Sequence, residues 1–298
     1  MKTPQLFHVD AFTRVAFRGN SAGVVLDADG MSPAQMQALA RELKHSETAF
    51  VLAPEDASHE VRIRYFTPTT EVPICGHATI AAHYARALAL GLGETELRQK
   101  TGAGIQSIRI ERAHGDYRVV MRQGAIEFGA PFASDLRHEI AHALGMTAHD
   151  LLPGAPLQVV STGHSKVMVP MQSVNTLDAL APNHEALTAL SARIGCNGYF
   201  PFVIDPVERA TCGRMFAPAI GIPEDPVTGN ANGPLGAYLV RHRLMPHDGR
   251  CLAFTGHQGR AIGRDGEVHV EVTVHEGEPV QVTIKGDAVL LFSAPLRL

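Results

Sequence analysis

The sequence predicts an α+β fold of two similar halves, each with many short strands around one long helix. Three observations predict it: a motif occurs twice about half a chain apart, strand-like runs outnumber helical ones, and the strand-helix alternation of a doubly wound sheet is missing. A chain of 298 residues is long enough for two domains. We therefore predict one domain at residues 1–128 and the other at residues 129–298.

One motif, a strand followed by a tight turn and the start of a helix, occurs in both halves. The first copy ends in Cys75-Gly76-His77 and the second ends in Thr228-Gly229-Asn230. Aligning the two glycines also pairs residues of the preceding strands: Arg64 with Arg214, and Phe66 with Phe216. Two similar units with polar turns predict one site, in a cleft between the halves.

Composition and charge exclude several classes of protein. Lys and Arg total 26 against 30 Asp and Glu, a net charge of -4 without a basic block, which is atypical of nucleic-acid binding. The four cysteines lack metal-ligand spacing, the first residues do not open a secretory signal, and no apolar run reaches the length of a membrane span. We therefore expect a cytoplasmic, reduced protein that binds a small neutral or anionic molecule and neither nucleic acid nor membranes.

The first half begins with three strand-like runs around a turn at residues 18–21: Leu6–Val9, Val15–Phe17 and Gly23–Leu26. Ser32 then caps a helix that has Pro33 at its first position. The remaining predicted elements are a strand that ends at Leu52, a strand Val61–Phe66, a helix from the Gly76 turn to about Leu90, and strands Ile105–Glu111 and Tyr117–Arg122. The long helix consists mostly of small residues, so strands can surround it closely.

The second half repeats this pattern after a short connecting helix, Ser134–Gly145. Gly163-His164-Ser165 precedes an apolar run, as Gly19-Asn20-Ser21 does in the first half. A helix around Leu187–Ile194 and a strand at 202–204 follow. The half ends in four strand-like runs: Cys251–Phe254, Val268–Val274, Val280–Lys285 and Val289–Leu291.

The two glycine turns are candidate binding sites. A helix N-terminus presents unpaired N–H groups and partial positive charge, and glycine lets a ligand approach the backbone. Helix starts at Gly76 and Gly229 that face one cleft would hold a carboxylate or a developing enolate. A single glycine turn is as typical of a simple tight turn as of a binding site. Its repetition beside the polar residues His77 and Asn230 favours a functional role. His77 is also a candidate proton relay.

Three further side chains are candidates, each with a plainer alternative. Glu47 lies at the start of a predicted strand, where a partly buried carboxylate can remove a proton from carbon, although position alone favours a solvated loop glutamate. Asp225 precedes Pro226 and is equally typical of a turn or helix cap. Cys75 at a helix start is a possible thiolate, but its counterpart is Thr228, so a small buried residue is favoured.

Several segments together resemble the phenazine-biosynthesis isomerase (PhzF) family, and within it the bacterial YddE-type members. They are Phe7-His8-Val9-Asp10-Ala11-Phe12-Thr13, Gly19-Asn20-Ser21-Ala22-Gly23-Val24-Val25, His45-Ser46-Glu47-Thr48-Ala49-Phe50, Cys75-Gly76-His77-Ala78-Thr79 and Glu224-Asp225-Pro226-Val227-Thr228-Gly229-Asn230-Ala231. The resemblance covers nearly the whole chain. It implies a diaminopimelate epimerase-like fold: two pseudo-symmetric domains, each a curled, mostly antiparallel sheet around a central helix, with the active site between them.

The resemblance also implies a homodimeric, cofactor-independent isomerase that shifts a proton on a small unsaturated or cyclic carboxylic acid. The general acid/base of the family matches Glu47. Other matched positions are Gly76 and His77, Asp225, the helix-start contacts Gly229 and Asn230, and Ser46 beside the glutamate. Epimerases of the same fold use one cysteine from each half. This chain has Cys75 but Thr228 opposite it, which argues against a mechanism with two thiols.

Two other functions remain open at this stage. His138-Glu139-Ile140-Ala141-His142 matches the zinc hydrolase signature, in which two histidines bind zinc and the glutamate activates water. Both histidines are predicted to point away from the apolar face of their helix, and 16 histidines in the chain make a chance match easy. A carboxylate-binding protein without turnover would keep the helix-start contacts but would not need Glu47.

Overall fold

A computed structural model describes residues 4–297 as a mixed α+β structure. Its strands are β1 (Gln5–Ala11), β2 (Asn20–Leu26), β3 (Thr48–Leu52), β4 (Val61–Phe66), β5 (Glu71–Val72), β6 (Thr95–Thr101), β7 (Gly104–Ala113), β8 (Asp116–Arg122), β9 (Glu127–Phe128), β10 (Gln158–Ser161), β11 (Ser165–Met171), β12 (Tyr199–Asp205), β13 (Ala210–Gly213), β14 (Met215–Ala217), β15 (Ile222–Asp225), β16 (Cys251–Gln258), β17 (Gly266–His275) and β18 (Glu278–Pro295). Its helices are α1 (Pro33–Leu43), α2 (Gly76–Leu90), α3 (Ser134–Ala143), α4 (Val174–Asp178), α5 (His184–Ile194) and α6 (Gly229–Arg241).

The chain divides into two compact units. One contains Met1–Arg122 together with Lys285–Leu298, and the other contains Gln123–Ile284. The end of β18 therefore belongs to the first unit and its beginning to the second. The assignment of domains to residues 1–128 and 129–298 stays a prediction.

The first unit is a ring of strands around α2. Strands β1, β2, β3, β4, β6, β7 and β8 pair in that order, and β18 pairs with both β1 and β8, which closes the ring. Helix α2 packs against β1, β2, β3 and β8 inside it. Six of its residues are alanines, and five of them are buried. Small side chains on every face let the helix lie this close to the surrounding strands.

The second unit repeats this arrangement around α6. Strands β10, β11, β12, β13, β16 and β17 pair in that order, and their orientations alternate between antiparallel and parallel as those of β1, β2, β3, β4, β6 and β7 do. Helix α6 packs against β10, β11, β16 and β17, and most of its residues are buried. The internal repeat that the sequence predicts is thus present in the strand pairing.

The arginines and phenylalanines of the repeat also have matching surroundings. Arg64 lies over the ring of Phe66 at 5.1 Å and donates two hydrogen bonds to Glu71, both of 2.7 Å. Arg214 lies over Phe216 at 4.9 Å and donates hydrogen bonds of 2.9 and 2.8 Å to Glu224. Each planar guanidinium thus ties its own segment of chain to the short strand that precedes the central helix, β5 in the first unit and β15 in the second.

Two strand predictions from the sequence are wrong. Residues 15–17 form a turn, in which Phe17 has φ 67° and donates its N–H to the carboxylate of Asp10 at 2.8 Å. The side chains of Val15 and Phe17 are exposed, so no sheet buries the apolar run. The two runs predicted at 280–285 and 289–291 form a single strand, β18. In the described part of the chain, no helix is long and apolar enough to span a lipid bilayer.

Candidate active site

The first group of candidate residues gathers at the start of α2. Cys75 is the N-cap residue, with extended backbone, and Gly76 and His77 are the first two helical residues. The carbonyl of Cys75 accepts hydrogen bonds from the backbone N–H and the hydroxyl of Thr79, at 3.0 and 2.7 Å. These bonds fix the turn that directs the side chains of Cys75 and His77.

The imidazole of His77 joins this turn to the segment before β3. Its Nε2 lies 3.2 Å from the Ser46 hydroxyl and 3.4 Å from Oε2 of Glu47. The side chain of Glu47 is 14% exposed and that of His77 is 7% exposed. Ser46, Glu47, Gly76 and His77 are thus neighbours, and Glu47 is not a solvated loop residue.

Cys75 completes this group. Its sulfur lies 3.4 Å from Nδ1 and 4.0 Å from Nε2 of His77. One potential ligand atom from each of Glu47, Cys75 and His77 lies within 4.8 Å of the other two. A carboxylate, a thiol and an imidazole therefore share a mostly buried site, in which protons can pass between them.

The second group of candidate residues surrounds the start of α6. Thr228 is the N-cap residue, its hydroxyl donates to the carboxylate of Asp225, and its backbone N–H donates to Gln258 at 3.0 Å. Gln258 donates in turn to the carbonyl of Asp225 at 2.8 Å and to the hydroxyl of Thr228 at 3.1 Å. This network fixes the orientation of the Asp225 carboxylate.

A second glutamine holds Gly229 and Asn230. The amide nitrogen of Gln123 donates to the Gly229 carbonyl at 3.1 Å and to the side-chain oxygen of Asn230 at 3.2 Å. Thr162 donates to the amide oxygen of Gln123 at 2.7 Å, which fixes the direction of that amide. The Asn230 amide nitrogen is thereby directed away from Gln123, as a donor to a ligand would be.

Lys166 is a further charged residue in the second unit. Its side chain crosses the backbone at Gly198, because a Cβ at residue 198 would lie 2.5 Å from the Lys166 Cδ. Burial lowers the pKa of Lys166, while the nearby Cys196 and Asp225 act in the opposite direction. A lysine that reaches the charge of Asp225 beside a helix start is a strong candidate for binding an anion.

Lys166, Gln123 and Gln258 are absent from the sequence-based predictions. The sequence contained a signal for Lys166 alone, since the alignment of Gly163-His164-Ser165 with Gly19-Asn20-Ser21 places it opposite Ala22, which is buried. A lysine at a position that the other half keeps small and apolar is unusual. The two glutamines act through hydrogen bonds distant in sequence, and no local pattern indicates them.

The zinc hydrolase signature lies on α3, away from both groups in sequence. His138 and His142 are exposed, and Glu139 forms an ion pair with Arg193. Among residues 4–297, the one cluster of three His, Cys, Asp or Glu side chains close enough to share a metal ion is that of Glu47, Cys75 and His77.

Solved structures resemble this fold over nearly the full chain, and two of them are informative. The Bacillus anthracis phenazine biosynthesis protein of the PhzF family covers 100% of both chains, with a TM-score of 0.88 and 35% identity. A hydroxyproline epimerase from Agrobacterium vitis covers 99% of this chain and 93% of its own, with a TM-score of 0.66 and 14% identity, which shows the fold alone. The predicted fold class, with two pseudo-symmetric epimerase-like halves, is confirmed.

Related sequences identify the class of protein. Over 291 residues, 98% of this chain and 97% of the relative, the sequence is 59% identical to "Uncharacterized isomerase YddE" of Salmonella typhimurium. Over 282 residues, 94% and 95% of the two chains, it is 32% identical to trans-2,3-dihydro-3-hydroxyanthranilate isomerase of Pseudomonas fluorescens. These relatives define the class as an isomerase, and neither is named a hydrolase or a binding protein.

The family follows from the match over nearly the whole sequence. Residues 9–294 match PhzC-PhzF, described as phenazine biosynthesis-like protein. The chain belongs to this family. The substrate, the roles of the site residues, the homodimer and the cytoplasmic location stay predictions.

Proposed function

We propose that this isomerase shifts a proton on a small unsaturated or cyclic carboxylic acid without a cofactor, with Glu47 as the general acid/base. The observation that carries the proposal is the position of Glu47, a mostly buried carboxylate 3.4 Å from the imidazole of His77. A carboxylate shielded from water removes a proton from carbon more readily than a solvated one. A relative named as an isomerase of a dihydro-hydroxyanthranilate supports this substrate class.

The proposed reaction moves one proton and one double bond. Glu47 removes a proton from a carbon next to the conjugated system, and the electron pair of the broken C–H bond spreads toward the carboxyl group. A proton returned to another carbon of that system restores the original charge of the substrate and leaves the double bond shifted. No net oxidation occurs, so acid/base groups alone suffice.

His77 acts as the partner of Glu47 in this proposal. Its two ring nitrogens face acid/base groups, Glu47 on one side and Cys75 on the other. An imidazole between a carboxylate and a thiol can hold the abstracted proton or return it to the substrate. Ser46, which lies 3.2 Å from the same ring, orients it and contacts the substrate.

In this proposal the start of α2 and the start of α6 are each a candidate contact for an anion, either the carboxylate of the substrate or the negative charge that develops on it. Gly76 and Gly229 let the substrate approach the backbone N–H groups, and the positive ends of the two helices favour an anion. We assign Asn230 to hydrogen bonding with the substrate and Asp225 to orienting that contact through Thr228. These roles extend the proposal to the second unit.

Proton NMR in deuterated water tests the proposal. A panel of unsaturated and cyclic carboxylic acids, with dihydro-hydroxyanthranilates among them, is incubated with the wild type, Glu47→Gln and Glu42→Gln. Glu42 is exposed on α1 and serves as the matched control. We expect one compound class to exchange a carbon-bound proton with the wild type and the control, and Glu47→Gln to lower that rate about 10²- to 10⁴-fold. Exchange that persists in Glu47→Gln would place the base elsewhere, and Cys75→Ala would then be examined.

A further inference from the structure

The group formed by Glu47, Cys75 and His77 has the composition of a zinc-type metal site. Two of its three side chains are buried and the third is partly buried, and it offers one sulfur, one nitrogen and one oxygen ligand. All three ligand types bind Zn²⁺, whereas Mg²⁺ and Ca²⁺ favour oxygen ligands alone. The cluster also lies on a short turn and a strand start, which hold its members in place.

One of the distances in this group matches those that a tetrahedral metal needs, and the others are somewhat longer. Metal–sulfur bonds of ~2.3 Å and metal–nitrogen or metal–oxygen bonds of ~2.0–2.2 Å imply ligand atoms roughly 3.3–3.6 Å apart. In the structure, Nε2 of His77 lies 3.4 Å from the Glu47 carboxylate and 4.0 Å from the Cys75 sulfur. The sulfur also lies 3.4 Å from Nδ1, so the Cys75 side chain must turn toward Glu47 before all three groups reach one ion.

We propose that Glu47, Cys75 and His77 form a binding site for a thiophilic divalent cation such as Zn²⁺ or Co²⁺, with the imidazole Nε2, the thiolate and the carboxylate as ligands. The fourth position is left to water. Binding requires the thiolate, so the thiol proton is released to solvent. Two negative ligands offset the positive end of α2, which would otherwise repel a cation.

The bound cation inhibits the isomerase, and this part of the inference rests on the proposed function. A carboxylate that coordinates a metal cannot accept a proton from carbon, and an imidazole bound through Nε2 cannot transfer one. Metal and substrate therefore compete for the same side chains. This competition makes the protein sensitive to free zinc and to chelators.

Cobalt absorption spectroscopy tests the metal site independently of any substrate. Co²⁺ bound by a thiolate gives a sulfur-to-metal band in the near ultraviolet and visible bands typical of tetrahedral geometry. We expect the wild type to bind a single equivalent of Co²⁺ with these bands, and Zn²⁺ to displace it. Loss of a residue that only hydrogen-bonds to a metal ligand lowers metal affinity about 10- to 100-fold. Cys75→Ala and Glu47→Gln each remove a ligand itself, so we expect each to weaken binding by at least about 10-fold.

The control variants are Cys251→Ser, an exposed cysteine elsewhere, and His142→Ala on α3, and both are expected to keep the spectrum. Circular dichroism establishes that every variant is folded. The proposal is overturned if the wild type shows no thiolate band, or if Cys75→Ala and Glu47→Gln bind Co²⁺ as the wild type does.

Inhibition is tested by a separate experiment. Reversible loss of proton exchange on addition of Zn²⁺ supports competition, and metal binding without inhibition rejects only the inhibition part of the proposal. A protein that binds Co²⁺ but exchanges no proton would count against the proposed function, not the metal site.

Discussion

The imidazole Nε2 of His77 lies 3.4 Å from the carboxylate of Glu47, although the two residues belong to different elements of the first unit. The ring is 7% exposed and the carboxylate 14% exposed, so both are largely shielded from water. The cost of such shielding is offset where the two groups hold a proton between them. A proton can therefore pass directly from one group to the other.

The first prediction concerns His77. If Glu47 takes the proton and His77 returns it, loss of the imidazole removes the group that completes the reaction. We expect His77→Asn to lower kcat about 10²- to 10⁴-fold. Rates of proton exchange measured by NMR provide the test, and a rate equal to that of the wild type would contradict the assignment of His77.

The second prediction concerns Lys166. Methionine matches the length of the lysine chain that crosses Gly198 and removes only the charge. We expect Lys166→Met to lower kcat/KM about 10- to 100-fold, mainly through KM, because a hydrogen bond to a charged group contributes about 1.5–3 kcal/mol.

Lys100→Met is the matched control for Lys166→Met, because Lys100 forms a partly exposed ion pair with Glu55. We expect this control to change neither kinetic constant. Unchanged kinetics in Lys166→Met, or equal effects in the two variants, would remove Lys166 from the site. Urea unfolding of both proteins shows whether a kinetic change reflects lost structure.

The third prediction concerns Gly233, which lies inside α6. An alanine in a helix interior normally stabilises relative to glycine by about 1 kcal/mol. At residue 233, however, a Cβ would lie 1.8 Å from the amide oxygen of Gln123. We therefore expect Gly233→Ala to destabilise the protein by about 1–3 kcal/mol and to lower activity, because the displaced Gln123 no longer holds Gly229 and Asn230.

Equilibrium urea unfolding measures the effect of Gly233→Ala. Gly93→Ala is the control, since no heavy atom outside its own neighbourhood lies within 4 Å of a Cβ there. A gain in stability at residue 233 would show that Gln123 moves freely and does not position the start of α6.

The fourth prediction concerns stability at mildly acidic pH. Burial lowers the pKa of His83, whose Nε2–H donates a 2.8 Å hydrogen bond to the amide oxygen of Gln99, to about 3 from its ordinary 6.5. Between these two pH values the unfolded chain binds a proton that the folded chain does not. Stability therefore falls as the pH falls through this window, by up to about 1.4 kcal/mol per pH unit from this group.

Urea unfolding between pH 7.5 and 5 in the wild type and His83→Gln isolates this contribution, because other titrating groups are common to both. We expect a smaller dependence on pH in the variant. His138→Gln, at an exposed position, should behave as the wild type does. Equal pH dependence in all three proteins would contradict the neutral, buried state of His83.

The elements that could be predicted from the sequence are those with local signals. Helix α2 begins at Gly76 and ends at Leu90 as predicted, because a glycine turn and a run of small residues mark it. Ser32 caps α1 through a hydrogen bond from Gln35, again a local pattern. The run at 15–17 is apolar, yet the carboxylate of Asp10 holds the N–H of Phe17 in a turn, which no local pattern reveals.

The candidate site was predicted only in part, for a similar reason. Glu47 and His77 came from turn positions and from family resemblance, and the structure brings them together. The space for Lys166 depends on the missing side chain of Gly198, which directly precedes the neighbouring strand β12. The direction of the Gln123 amide depends on Thr162, which lies far away in sequence. Such pairs are set by strand pairing and cannot be found from one segment.

The course of β18 has a consequence for how the protein is made. This strand supplies the partner of β1 and of β8, yet its end is synthesised only after the whole of the second unit. Until then, the first unit exposes two sheet edges whose N–H and C=O groups can pair with another chain. The half that is synthesised first is therefore completed last. A chain shortened before residue 288 would leave an open sheet that is prone to aggregate, even though every candidate active-site residue is present.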